Sequence, residues 1–196
     1  MTNFATPKFD QKRFVVKKRE HRDFREILYG EFVSLTGGIA AGFMLVSALD
    51  KIMLLPGLFI LLPGFLEMRG SISGSMSARL SSGLFLKVTK PRVSNNRFLR
   101  ENVIAEIILA FVVSLVLGLI SFAFSYYFFG ITNPKIISVA IVAGLLSNII
   151  EIPLTVLLNF WLFRHGHDPN NVMGPYITTI GDVVSVFSIL VAIVLL

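Results

Sequence analysis

The sequence predicts an all-α integral membrane protein with five transmembrane helices, the second of them long and broken. Three observations lead there. The chain is 54% hydrophobic and only 15% charged, whereas a soluble domain carries about a quarter charged residues. Its apolar residues run on for about the length of a membrane crossing, instead of recurring along one face of a surface helix. Its basic residues are confined to the flanks of those runs: eight of the 18 Lys and Arg precede Glu31, and five more fall between Lys87 and Arg100. The same distribution argues against nucleic acid as the reason for a net charge of +6. Cys is absent, which excludes disulfides and thiolate metal sites.

Residues 1–30 read as a basic cytoplasmic arm against anionic lipid headgroups, with Phe24, Ile27 and Leu28 at helical spacing leading into the membrane. The first apolar run lacks a small-residue cleavage site and is expected to stay as a helix. The remainder, 31–196, reads as one five-helix transmembrane domain. Span one covers about Glu31 to Leu49, with Gly38 and Gly42 as a small-xxx-small pair, and Gly37 and Ala41 beside it, which permits close helix packing.

The second region is apolar from Ile52 to Leu66 and rich in Ser and Gly from Gly70 to Gly83. As a single helix, Lys51 to Lys87 would measure about 54 Å at ~1.5 Å per residue, against a hydrocarbon core of about 30 Å. It is expected to break, tilt steeply or extend into the cytoplasm, with Pro56, Pro63, Gly64 and Gly70 as break points. Irregular backbone at that depth needs protein or a water-filled cavity around it, and Arg69 and Arg79 favour water. The alternative is a helix buried among neighbours, its Ser and Gly allowing tight packing.

Span three runs from about Val103 to Phe129. Glu106, near its start, is expected at the interface, where the helix dipole favours an acid, and Tyr126 to Phe129 form an aromatic belt at the far side. Span four runs from about Lys135 to Phe163. Gly144, Asn148, Glu151, Thr155 and Asn159 are spaced 4, 3, 4 and 4 and share one face. Such a stripe is either a second ion-contacting surface or an interhelical hydrogen-bond seam. Arg164 to Pro169 make a polar turn, and its His165, His167 and Asp168 read as a solvated loop in preference to a metal site. Span five runs from Val172 to Leu196. With the N-terminus inside and the C-terminus outside, inner segments hold fourteen basic residues and outer loops only Lys51 and Lys135.

Span five carries Asp182. An acid at the centre of an isolated span costs roughly 2.5–3.5 kcal/mol, so it marks a functional site by default. Thr178, Asp182 and Ser185 are spaced 4 and 3 and form one oxygen-bearing face. Oxygen ligands without His or Cys suit a hard cation such as magnesium or calcium. Magnesium sheds water reluctantly, which favours a wide site that holds the hydrated ion. One carboxylate does not balance a divalent charge, and a two-fold dimer would supply two copies of Asp182.

Two stretches carry a family resemblance. Met68-Arg69-Gly70-Ser71-Ile72 through Ala78-Arg79-Leu80-Ser81-Ser82, and Asp168-Pro169 through Gly174-Pro175-Tyr176-Ile177-Thr178-Thr179-Ile180-Gly181-Asp182, resemble the signature stretches of the MgtE and solute carrier family 41 magnesium transporters. The resemblance covers about residue 31 to the end. It implies a homodimer with the pore between subunits, lined by spans two and five, with Gly70, Ser71, Ser73, Gly74, Ser75, Ser77 and Gly181 facing the path and an ion site at Asp182. There are departures. The family's Asn after the first glycine appears here as Ser71. MgtE channels carry a cytosolic sensor and paired CBS domains, which a thirty-residue arm cannot hold. Eukaryotic solute carriers hold two copies of this unit, and here there is one, consistent with dimerisation.

The function expected from these readings is a magnesium channel or facilitative transporter in the cell membrane, with a second copy, membrane lipids and divalent cations as its partners and magnesium as the transported ion. The runner-up is a sodium- or proton-coupled exchanger whose second ion sits at Glu151, with Asn148, or at Glu106. An enzyme is not expected, because the candidate bases for a Ser73-Gly74-Ser75 nucleophile, His165 and His167, sit in a loop and His21 in the arm, and paired-acid phosphotransfer motifs are missing. A scaffold would leave Asp182 and Glu151 unexplained.

Overall fold

The described residues, 16–53, 55–94 and 96–196 of a computed structural model, form helices and no strands. In chain order these are α1 (Val16–Ser47), α2 (Leu49–Met53), α3 (Leu58–Phe85), α4 (Arg97–Phe129), α5 (Lys135–Arg164) and α6 (Pro169–Leu195). Residues 1–15 of the expected basic arm lie outside the described residues. Among the described residues, four helices are long and apolar enough to cross a membrane: Phe24–Ser47, Arg97–Phe129, Lys135–Arg164 and Pro169–Leu195. Of the five expected spans, the second is therefore the one that hydropathy does not support. At 28 residues α3 has the length, but its second half is Ser-rich and charged.

The break in that second region falls between α2 and α3, at Pro56 and Gly57. Pro63, Gly64 and Gly70 do not interrupt α3, which corrects the expectation of several break points. A proline removes one intrahelical bond, and here Leu58, Leu61, Leu62 and Phe65 are buried around that turn and hold it helical. The Ser- and Gly-rich stretch is likewise regular helix, not irregular backbone.

Local chemistry sets the helix ends. α3 stops where Lys87 turns left-handed at φ 59. There Val88 N–H donates to Gly83 O at 2.8 Å and Lys87 N–H to Leu84 O at 3.1 Å, a Schellman pattern. Asn96 caps α4, its Oδ1 accepting from Leu99 N–H at 2.7 Å. That cap starts α4 several residues earlier than hydropathy suggests, which puts Glu106 in the third turn, buried within the bundle. Asp168 caps α6 by accepting from Asn170 N–H at 2.9 Å, with Pro169 in the first turn. Asp168 thus serves a helix end, as the loop reading allows.

α3 packs against α4, α5 and α6, whereas α1 lies along α6. Small residues set the approach of α4 to α5. A Cβ at Gly144 would lie 2.0 Å from Ser114 Oγ, and one at Gly118 would lie 3.0 Å from Ile137 Cα. α1 meets α6 through Gly37, where a Cβ would lie 2.0 Å from Thr179 Cγ2, and through Gly30 against Pro175. Gly38 and Gly42, the pair read as a packing motif, face open space.

The interior is layered. One apolar cluster joins Leu58 to Ile72 of α3 with Ala110, Ile136 to Ala143, Ile189 and Ala192. A second joins Met76, Leu80, Leu84, Leu99, Ile152, Val156 and Phe160. Between them lies a polar belt of Arg69, Ser73, Glu106, Asn148 and Glu151, all buried.

Overfilling a packed contact costs about 1–3 kcal/mol. Gly144→Val should therefore lower the unfolding midpoint in detergent, followed through Trp161 fluorescence. Gly38→Ala and Gly42→Ala should leave it unchanged; equal losses at all three positions would contradict this packing.

Candidate cation site

Between α3 and α6 an open groove of about 520 Å³ is lined by Pro63, Leu66, Glu67, Gly70, Ser71, Thr178 and Asp182. The α3 residues 63, 67 and 71 are exposed on a different face from the buried Arg69 and Ser73, with Gly70 at the border between the two, so one helix buries one polar row and presents another. Glu67 is exposed and Asp182 half-buried. Two carboxylates thus come to one groove from a single copy of the chain.

Thr178 is held in place. Its Oγ1 donates to the Pro175 carbonyl at 3.0 Å, and Ser34 Oγ of α1 lies 3.2 Å away, free to donate to it. Among the described residues no group of three or more His, Cys, Asp or Glu could hold a bare metal ion. The groove is instead wide. A magnesium ion keeping six waters needs roughly 180 Å³ for them at ~30 Å³ each. Carboxylates and hydroxyls spaced around such a volume suit hydrogen bonding to the water of a hydrated hard cation.

The sequence-derived site residues divide into three groups. Asp182, Thr178, Gly70 and Ser71 share the groove. Gly74 and Ser75 lie on outward parts of α3, and Ser75 Oγ accepts from Arg79 Nη1 at 3.2 Å. Ser73, Ser77, Gly181 and Ser185 are buried on the packed side. Ser77 Oγ accepts from Asn159 Nδ2 at 2.6 Å, and Ser81 donates to Asn159 Oδ1 at 2.9 Å. Ser185 Oγ has no hydrogen-bond partner among the described residues. Glu67 was missed. Its signal was available: it stands one helical turn before Ser71, at the point where the apolar half of α3 ends.

The polar stripe of α5 meets the inner row of α3 in a hydrogen-bond seam. Arg69, fully buried and not in water as the sequence suggested, donates from Nε to Glu151 Oε1 at 3.1 Å and from Nη2 to Glu151 Oε2 at 2.6 Å. Its Nη1 donates to Asn148 Oδ1. Ser73 Oγ lies 2.8 Å from Glu106 Oε1 and 2.9 Å from Glu151 Oε2. The guanidinium therefore already neutralises Glu151. The turn after α5 is tied back as well, with His167 Nδ1 3.0 Å from Glu26 Oε1 of α1 and His165 Nδ1 2.7 Å from the Trp161 carbonyl.

Long apolar helices around an oxygen-lined, acid-bearing groove define a membrane protein built to handle cations. The family model of the MgtE divalent cation transporters matches residues 62–192, about two thirds of the chain, and the chain belongs to that family. It is a family of transporters, not of enzymes, and magnesium is among the cations it carries. Comparison with curated proteins and with solved structures returned no match.

Removing one partner of a buried ion pair leaves an uncompensated charge and costs roughly 3–5 kcal/mol. Arg69→Met should therefore strongly lower thermal stability in detergent, and the double variant Arg69→Met with Glu151→Met should recover most of the loss. A double variant as unstable as the single one would refute the pairing as the source of the cost.

Proposed function

We propose that the chain is a magnesium channel or facilitative transporter of the cell membrane that passes the hydrated ion along the α3–α6 groove. The observation that carries this reading is that Glu67 and Asp182 line one open groove, in a chain of a divalent cation transporter family. Two carboxylates balance a divalent charge within one copy, and Gly70, Ser71 and Thr178 complete an oxygen-bearing wall. Hydrated transfer needs no protein group to replace the ion's own water, which fits the absence of a ligand cage among the described residues.

The groove is open along the side away from its own protomer. A second copy related by a two-fold axis would close it and double the acids around the path, so the working unit is a homodimer. The basic flanks place the N-terminus on the cytoplasmic side and the C-terminus outside. A sodium- or proton-coupled exchanger is the less favoured reading, because the Arg69 guanidinium occupies the oxygens of Glu151 and Asn148 that a second cation would need.

Asp182→Asn should abolish magnesium rescue of a transport-deficient host, while Glu67→Gln should weaken apparent magnesium affinity by roughly tenfold, ~1.4 kcal/mol. Uptake into proteoliposomes should be indifferent to sodium. Full rescue by Asp182→Asn would remove the groove as the conduction path.

A further inference from the structure

The polar belt holds more acid than its one fully enclosed cation can balance. Glu106 and Glu151 face each other across Ser73, and Arg69 directs its hydrogen bonds to Glu151 and Asn148, none to Glu106. Arg79, the other cation on this side of α3, donates from Nε to Asn102 Oδ1 at 2.6 Å. Glu106 is fully buried, and its Oε2 has no hydrogen-bond partner among the described residues. An ionised carboxylate there would be desolvated, short of partners and beside a second carboxylate, a cost of several kcal/mol.

Counting hydrogens gives the same result. Ser73 stands at hydrogen-bond distance from both acids, 2.8 Å and 2.9 Å, yet a hydroxyl has a single proton to donate. If both contacts are hydrogen bonds, one carboxyl must supply the other proton. Glu151 accepts from two guanidinium nitrogens and is the ionised member. The donor is then Glu106.

We propose that Glu106 is a proton-binding site buried in the helix bundle, donating its proton to Ser73, which in turn donates to Glu151. The belt is then electroneutral, with Arg69 and Glu151 cancelling and Glu106 uncharged. The groups facing Glu106 are Arg69, Ser73 and Arg79 on α3 and Glu151 on α5. Loss of the proton would set two carboxylates against one another across a single hydroxyl and strain the packing of α4 on α3. α3 also supplies Glu67, Gly70 and Ser71 to the groove, so the proton stabilises the helix position that shapes that wall. The inference rests on the belt geometry and does not depend on which ion the groove conducts.

Infrared spectroscopy of the purified full chain in lipid tests it. At pH 7 an exposed glutamate of pKa ~4.3 is almost wholly ionised, so a protonated-carboxyl C=O band reports a buried acid. The wild type should show such a band, slow to shift in deuterated water. Glu106→Gln should lose it while keeping a comparable unfolding midpoint, because the amide N–H still reaches Ser73. Asp182→Asn should retain it. If Glu106→Gln does not fold, Ser73→Ala, which removes the acceptor, should move the band to higher frequency. No band in the wild type, a band that survives Glu106→Gln, or one that Ser73→Ala leaves unmoved overturns the proposal.

Discussion

The structure depends on how one arginine is kept inside a membrane bundle. Arg69 is wholly enclosed, and only a carboxylate and an amide on the neighbouring helix make that tolerable. This demand fixes the register of α3 on α5, because the forked guanidinium fits Glu151 and Asn148 in one position alone. Ser73, Ser77 and Ser81 follow at four-residue spacing, and Ser77 and Ser81 both meet Asn159. With the inner row committed, helical geometry turns residues 63, 67 and 71 outward. The groove is thus the outward consequence of a buried ion pair.

Much of this was legible in the sequence, and the rest was hidden for definable reasons. The stripe on α5 from Gly144 to Asn159 could be read directly, because its spacing has one helical solution. Its role stayed open between ion contact and seam, since the partner that decides it, Arg69, comes from a distant segment. α3 misled in two ways. Its Pro and Gly suggested breaks that buried apolar neighbours suppress, and its Arg suggested water where a carboxylate supplies the solvation. Glu106 was read as a first-turn acid because hydropathy starts the span at Val103, whereas the Asn96 cap starts the helix at Arg97 and Glu106 lies buried in the third turn. In α1 the small-residue spacing was legible, but of its two adjacent pairs Gly37 and Ala41 pack inward and Gly38 and Gly42 do not, a one-residue distinction that hydropathy does not make.

Asp182 also changes meaning once the helices are assembled. Alone in span five it appeared to need a second copy to balance a divalent ion. Glu67 supplies a second carboxylate from within the same copy, and the groove's volume leaves room for the ion's own water. In the proposed reading, charge balance and dehydration cost, the two obstacles to moving magnesium, would be met by different means: the acids would attract the ion, and the width of the groove would spare it from losing water.

α1 lies outside the stretch that matches the family, yet it touches α6 at the turn just before Asp182. Gly30 seats on Pro175, Gly37 on Thr179, and Ser34 sits within hydrogen-bonding distance of Thr178, whose side chain lines the groove. Pro175 lacks the N–H that would tie this turn to the one before it, so α6 is intrinsically weakest where α1 supports it. The glycines are what let that support come so close: any side chain at position 37 would hold α1 off Thr179 and part Ser34 from Thr178. The helix that leads in from the basic arm is in this way part of what fixes a groove hydroxyl, although it contributes no groove residue itself.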